Sequence, residues 1–179
     1  MDQNNLTLDK FSKIRLRALY PGFGDAVQKF MQEVRRLTDR DLSIVEGIRS
    51  LKKQRNMFKS GASSLDVYES HHNYGLACHV VFRGKDAMLK SFTDRDRKKF
   101  FDGLKVIANQ CGIYAAIDPQ TYLIHLEMDI CDLDHLQELH RGGGLHDVWE
   151  YLDSARKVPY GKGWIGDYKF YKCIELEGL

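Results

Sequence analysis

Apolar residues recur at helical spacing over 25–38, where Val27, Phe30, Met31, Val34 and Leu37 form one stripe behind a capping turn, Pro21-Gly22-Phe23-Gly24. The short apolar run 42–45 then reads as a strand broken at Gly47. Ser50 is placed to cap a second helix over 51–59, which Ser60-Gly61 ends. Residues 62–74 are polar, rich in Ser and His, and aperiodic, so they predict a loop. A β-branched strand follows over 77–82. Thr93 or Asp94 opens the longest helix, with a core face of Phe100, Leu104, Ile107, Ala108 and Cys111 and a stop at Gly112. Two further strands, 113–116 and 122–128, are joined through Asp118-Pro119.

Beyond Met128 the pattern changes. Leu133, Leu136, Leu139 and His140 suggest a short helix ended by Arg141-Gly142-Gly143-Gly144, and Leu145, Val148, Trp149 and Leu152 another amphipathic turn or two. An aromatic, roughly alternating stretch at 167–176 reads as a last strand. The order of elements predicts an α+β protein: a small mixed or antiparallel sheet packed with helices over 1–128, and a C-terminal extension over 129–179 packed on that core or used for docking.

Composition narrows the function classes. The chain has 179 residues, with 27 Lys+Arg against 25 Asp+Glu, a near-balance that argues against a dedicated nucleic-acid binder. No apolar run approaches the length of a membrane span. The start, Met1-Asp2-Gln3-Asn4-Asn5, has neither the basic nor the apolar region of an export signal, so synthesis in a cytoplasm without a cleavable signal is expected. Cys78, Cys111, Cys131 and Cys173 are far apart without a C-x-x-C pair, the pattern of reduced thiols rather than a disulfide frame or zinc knuckle.

Histidines carry the candidate chemistry. His71, His72 and His79 crowd one loop-to-strand junction. In the later strand, His125 and Glu127 are two residues apart and share a face. Two imidazoles seven apart on a loop-strand unit, plus one from another strand, can converge on a tetrahedral zinc with an open position. His71, His135, His140 and His146 read as solvated or capping residues.

These spacings resemble a family of zinc peptidases that includes the VanY and VanX carboxypeptidases and the L-alanyl-D-glutamate endopeptidases of phage lysis. Ser70, His72, Gly75 and Ala77 match the family signature Ser-x-His-x-x-Gly-x-Ala-x-Asp in register. Glu46-Gly47-Ile48-Arg49-Ser50 with Gln54 is similar to its Gly-x-Arg-[Ser/Thr] followed by Gln, and His125-Leu126-Glu127 to its closing His-x-Glu strand. The resemblance implies a peptidase fold of that type, zinc as cofactor, and bacterial peptidoglycan peptides as partners. It implies His72 and His125 as zinc ligands, Arg49 facing the substrate carbonyl or its oxyanion, Ser70 bracing the ligand loop, Gly75 allowing its turn, and Gln54 beside the substrate.

Two positions depart from the family pattern. Its Asp ligand is replaced by His79, giving a three-histidine set with one more unit of positive charge. Its acidic base, three residues before the last His, is replaced by Tyr122, and an unperturbed phenol titrates near ~10 and accepts protons poorly at neutral pH. Glu127 and Asp118 are the carboxylates that could take over. Two functional readings follow. The first is a peptidase-like protein whose hydrolysis is lost or reduced and whose role is binding or structural, for example in a phage tail or baseplate, docked to phage structural proteins through 129–179. The alternative is an active zinc peptidase of cell-wall stem peptides, with Glu127 or Asp118 as base. A metal-dependent nuclease lacks the basic surface such an enzyme usually shows.

Overall fold

The computed structural model describes residues 8–84, 87–129 and 132–155. It is an α+β protein, as expected, in which four antiparallel strands form one sheet. The strand expected at 167–176, and Cys131 and Cys173, lie outside the described residues. The chain forms two compact units, one drawn from residues up to Ile48 with Gly75–Met128, the other from Arg49–Tyr74 with residues from Asp129 onward.

The first unit holds helices α1 (Lys10–Arg17) and α2 (Pro21–Thr38), strands β1 (Leu42–Glu46) and β2 (Ala77–Phe82), and its other strands β3 (Tyr114–Ile117) and β4 (Ile124–Glu127). The sheet order is β1-β2-β4-β3. Between β2 and β3 runs the 17-residue helix Asp94–Gln110, opened by Thr93, whose hydroxyl accepts from the Asp96 amide. Period-two alternation sorts the strands: Leu42, Ile44, Cys78, Val80, Ile124 and Leu126 are fully buried. With Phe23, Val27, Phe30, Met31 and Val34 of α2 and Leu104 and Ala108 of the long helix they make up the core. Cys78 and Cys111 are buried free thiols, both pushed up by desolvation, in line with reduced cysteines.

Several boundaries differ from the sequence reading, each for a local reason. Helix α2 begins at Pro21, because proline is pre-set for a first helical position and the expected capping turn is simply its first turn. The long helix buries Phe101 rather than Phe100; Phe100 is half-buried, its ring 5.7 Å from those of both Phe82 and Phe92. The last strand starts at Ile124, since Tyr122 has φ of +59° and cannot lie in a pleat.

Helix α1 had no signature in the hydrophobic pattern. Its apolar residues Phe11 and Ile14 are 65% and 56% exposed, whereas Ser12 is fully buried. What docks it is polar. Asp9 caps the helix, accepting from the Ser12 amide at 2.8 Å and the Ser12 hydroxyl at 2.6 Å. The same Ser12 Oγ accepts from the Ile44 amide at 2.9 Å, while Arg15 donates to the Ile44 carbonyl at 2.7 Å. Both outward backbone groups of Ile44, on edge strand β1, are thereby satisfied by side chains, which blunts the edge.

The second unit holds helix α3 (Leu51–Lys59), a 3₁₀ turn over His71–Tyr74, and helices α6 and α7 at Leu133–Gly143 and Leu145–Ala155, numbered after α4 (Ala87–Ser91) and α5, the long helix of the first unit. Ser50 caps α3, its hydroxyl accepting from the Lys53 amide, as expected. Leu136, Val148 and Leu152 bury the faces of α6 and α7, which contact one another. No described helix is long and apolar enough to cross a membrane.

Hydrogen bonding from Ser12 leads the effects that hold the Asp9 carboxyl well below its ordinary range, with help from Ser43 and Arg83. A depressed native value stabilises the fold above the unfolded-state pKa of ~3.9 and is lost as pH falls through the native value. Asp9→Ala is therefore expected to cost about 1 kcal/mol at pH 7 in urea unfolding. The difference from wild type should shrink as the pH is lowered below about 4.

Candidate metal centre

In the first unit, the sheet face opposite the core carries the alternate residues of β2 and β4. Antiparallel register pairs His79 directly with His125, and Ala77 with Glu127. On the other side of β2 the register slips. Ile44 pairs with Val80, but Glu46 rather than Val45 pairs with His79, so Val45 is the extra residue of a β-bulge. Val45 is 41% exposed, and the bulge brings a carboxylate onto the histidine face where an unbroken strand would have put valine.

Four side chains then join end to end. Glu46 Oε2 lies 3.0 Å from His79 Nδ1, His79 Nε2 lies 3.0 Å from His125 Nδ1, and His125 Nε2 lies 3.0 Å from Glu127 Oε2. The two rings are 5.1 Å apart between centroids and tilted by 59°. All four side chains are at most 20% exposed.

Proton bookkeeping along this row is restrictive. An ionised carboxylate only accepts, so His79 Nδ1 and His125 Nε2 each carry a hydrogen. In neutral imidazoles the remaining nitrogens are bare, and these are the two that meet at 3.0 Å. Two lone pairs facing each other repel unless a cation, either a proton or a metal ion, lies between them. Carboxylates on the far nitrogens are also the partners that orient metal-binding histidines and raise their basicity. Adjacent imidazole nitrogens on a tetrahedral zinc are about 3.3 Å apart, from Zn–N distances of about 2.0–2.1 Å, so the pair needs only a slight opening. The donor set fits zinc.

The second unit organises the other motif residues around Arg49. Its guanidinium donates to Gln54 Oε1 at 2.7 Å, and its amide donates to the His72 carbonyl at 2.8 Å. The Arg49 carbonyl accepts from Asn73 Nδ2 at 2.9 Å, and Asn73 Oδ1 accepts from the Tyr68 amide at 3.1 Å. Gln54 is fully buried, its amide nitrogen donating to Ser63 Oγ and the Leu65 carbonyl, so it braces both Arg49 and the loop. Ser70 and His72 are buried, and the Ser70 carbonyl accepts from the Asn73 amide. Trp149 Nε1 of α7 donates to the Tyr74 carbonyl at 2.9 Å, tying the end of the 3₁₀ turn to the later helices.

Asp118 and Tyr122 belong to the β3–β4 turn. Asp118 accepts from the Gln120 amide and the Thr121 hydroxyl, and its carbonyl accepts from the Tyr122 amide. The Thr121 hydrogen bond foremost, then that of Gln120, holds the Asp118 carboxyl below its ordinary range. That makes it a turn-former with little basicity. The Tyr122 ring packs against Phe101 and under the Arg97 guanidinium. Thus β2 and β4 bring together His79, His125 and Glu127, and the second unit brings together Arg49, Gln54, Ser70 and His72, while Asp118 and Tyr122 are spent on their own turn.

Three of the four histidines expected to be solvated or capping are partly or fully buried. His71 is buried, His135 is half-buried against the Tyr151 ring, and His140 is half-buried, edge-on to the rings of Tyr68 and Tyr74. His140 Nδ1 is buried with no hydrogen-bond partner among the described residues, and desolvation pushes its imidazole down, toward the neutral form. Sequence reasoning also missed Glu46, Asn73 and Trp149. Bulge and turn contacts bring these in, and no spacing rule announces them.

Neither a protein-family model nor a curated protein sequence matches the chain. Among solved structures the chain is similar to the crystal structure of Serratia marcescens L-Ala D-Glu endopeptidase ChiX, at 20% identity and a TM-score of 0.48, over 75% of this chain and 97% of that one.

Gly75, which follows the 3₁₀ turn, has φ of +73°, the turn-permitting conformation expected of it. Gly75→Ala is expected to cost about 1–2 kcal/mol, because a Cβ is strained in that region. Chemical denaturation of the purified variant measures it.

Proposed function

We propose that this protein is a zinc-binding, peptidase-like protein that recognises bacterial cell-wall stem peptides, with hydrolysis lost or much reduced. The observation that carries the reading is the meeting of His79 Nε2 and His125 Nδ1, whose outer nitrogens are both held by carboxylates. Such a pair is built to share a cation. His72 completes the ligand set that the motif resemblance implies, and three imidazoles are donors of the kind zinc takes.

Bound zinc would supply Lewis-acid polarisation of a peptide carbonyl. The buried Arg49, held by Gln54, would offer the guanidinium that steadies the carbonyl oxygen or a substrate carboxylate. The missing part is a proton acceptor. Tyr122 stands where the family has an acid, Asp118 is committed to its turn, and Glu127 already accepts from His125. Binding without turnover follows, and residues 129–179 would then serve as a docking surface on a larger assembly such as a phage tail or baseplate. The second reading, an active peptidase with Glu127 as base, draws support from Glu127 sharing the histidine face next to His125.

Elemental analysis should find about one zinc per chain, lost in His72→Ala and in His125→Ala. Incubation of the zinc-loaded protein with purified stem peptides should release no product, while calorimetry detects peptide binding that Arg49→Ala weakens. Turnover that His125→Ala abolishes would overturn the binding-only reading in favour of the active peptidase. Absence of zinc after supplementation would leave the imidazoles sharing a proton and overturn both.

A further inference from the structure

Replacing a carboxylate ligand by an imidazole removes one negative charge from a site meant for a dication, and leaves the new ligand with a choice of two tautomers. A lone imidazole at position 79 would need its proton on the nitrogen away from the metal. Something must hold it there.

Resting on the zinc reading above, we infer that Glu46 is the residue that makes His79 work as a ligand: it fixes the His79 tautomer and returns, one imidazole removed, the charge that an aspartate ligand would have carried. The geometry is specific. Glu46 Oε2 is 3.0 Å from Nδ1 of His79, the nitrogen opposite the one that faces His125. Both side chains are largely buried, at 16% and 20% exposure, so the attraction is only partly screened by water. Glu46 reaches this place through the bulge at Val45; in regular pairing the position opposite His79 would be Val45, which cannot accept a proton. The bulge directly follows Ile44, whose two backbone groups are fastened to Ser12 and Arg15 of α1. The strand is thus anchored on one side of the extra residue and committed to His79 on the other. Glu127 does the same for His125 from the neighbouring strand, and the two carboxylates give the row a matching orienting partner at each end. In this role Glu46 acts through His79. It is a positioning residue.

The test compares zinc affinity by competition with a chromophoric chelator in wild type, Glu46→Gln, His79→Asp and the double variant, all first checked for native circular dichroism. Glu46→Gln keeps the size of the side chain and drops its charge, and is expected to weaken zinc about 10- to 100-fold. In the His79→Asp background the ligand carries its own charge and has no tautomer to set, so Glu46→Gln should change affinity there by less than about threefold; a merely structural role for Glu46 would cost the same in both backgrounds. Long-range ¹H–¹⁵N spectra of the zinc-loaded wild type should place the His79 proton on Nδ1, and this readout stands even if the His79→Asp protein binds zinc too weakly to titrate. Equal affinity of wild type and Glu46→Gln, or a His79 proton on Nε2, would overturn the role of Glu46 while leaving the zinc site intact. A wild type that takes up no zinc would instead remove the reading beneath it.

Discussion

Two imidazole nitrogens meeting at 3.0 Å on a largely buried sheet face is the constraint around which the first unit is arranged. The contact is unfavourable for two bare nitrogens and favourable once a cation is shared between them. Which of the two it is depends on where the other hydrogens sit, and the flanking carboxylates decide that. Glu46 and Glu127 bond the outer nitrogens and leave the inner pair bare. Antiparallel pairing supplies the rest: a directly opposed cross-strand pair is the closest approach two side chains can make across a sheet, and His79 and His125 occupy one.

The same constraint explains why the edge of the sheet is built from polar contacts. Strand β1 must deliver Glu46 to His79, which requires one extra residue, and an extra residue in an edge strand invites slippage. Helix α1 removes that freedom. Asp9, Ser12 and Arg15 form a short relay that holds the Ile44 backbone at both its donor and its acceptor. The helix contributes little apolar burial of its own, with Phe11 and Ile14 facing water. Its value lies in register.

In the second unit, polar side chains do the work that a hydrophobic stripe does in a helix. The Arg49 backbone is held by the His72 carbonyl and the Asn73 amide group, its guanidinium by Gln54, and Gln54 in turn by the 63–65 turn. A segment held this way looks aperiodic and soluble in sequence, since side-chain-to-backbone bonds obey no period. Trp149 extends the network to the later helices through the Tyr74 carbonyl.

Much of this protein is legible in its sequence. Periodicity located α2 and α5, because apolar burial drives those helices and burial leaves a period in the sequence; apolar and β-branched runs located β1 and β2, and the Ser50 cap with the Ser60-Gly61 stop located α3. The alternation His125-x-Glu127 correctly put both side chains on one face, and Ser50 and Thr93 stood out as caps. The motif spacing singled out Arg49, Gln54, Ser70 and His72, which the second unit does gather together. Tertiary structure alone decided the remainder. Helix α1 was invisible because its buried residue is a serine. Tyr122 left the strand because the Asp118 turn forces it to positive φ, and Asp118 lost its candidacy as a base to that same turn. Above all, Glu46 was read as a neighbour of the Arg49 motif and emerged as the partner of His79. A bulge shifts pairing by one residue, and a shift of one exchanges the faces of a strand, an event that the pairing of two distant segments determines and no local pattern records.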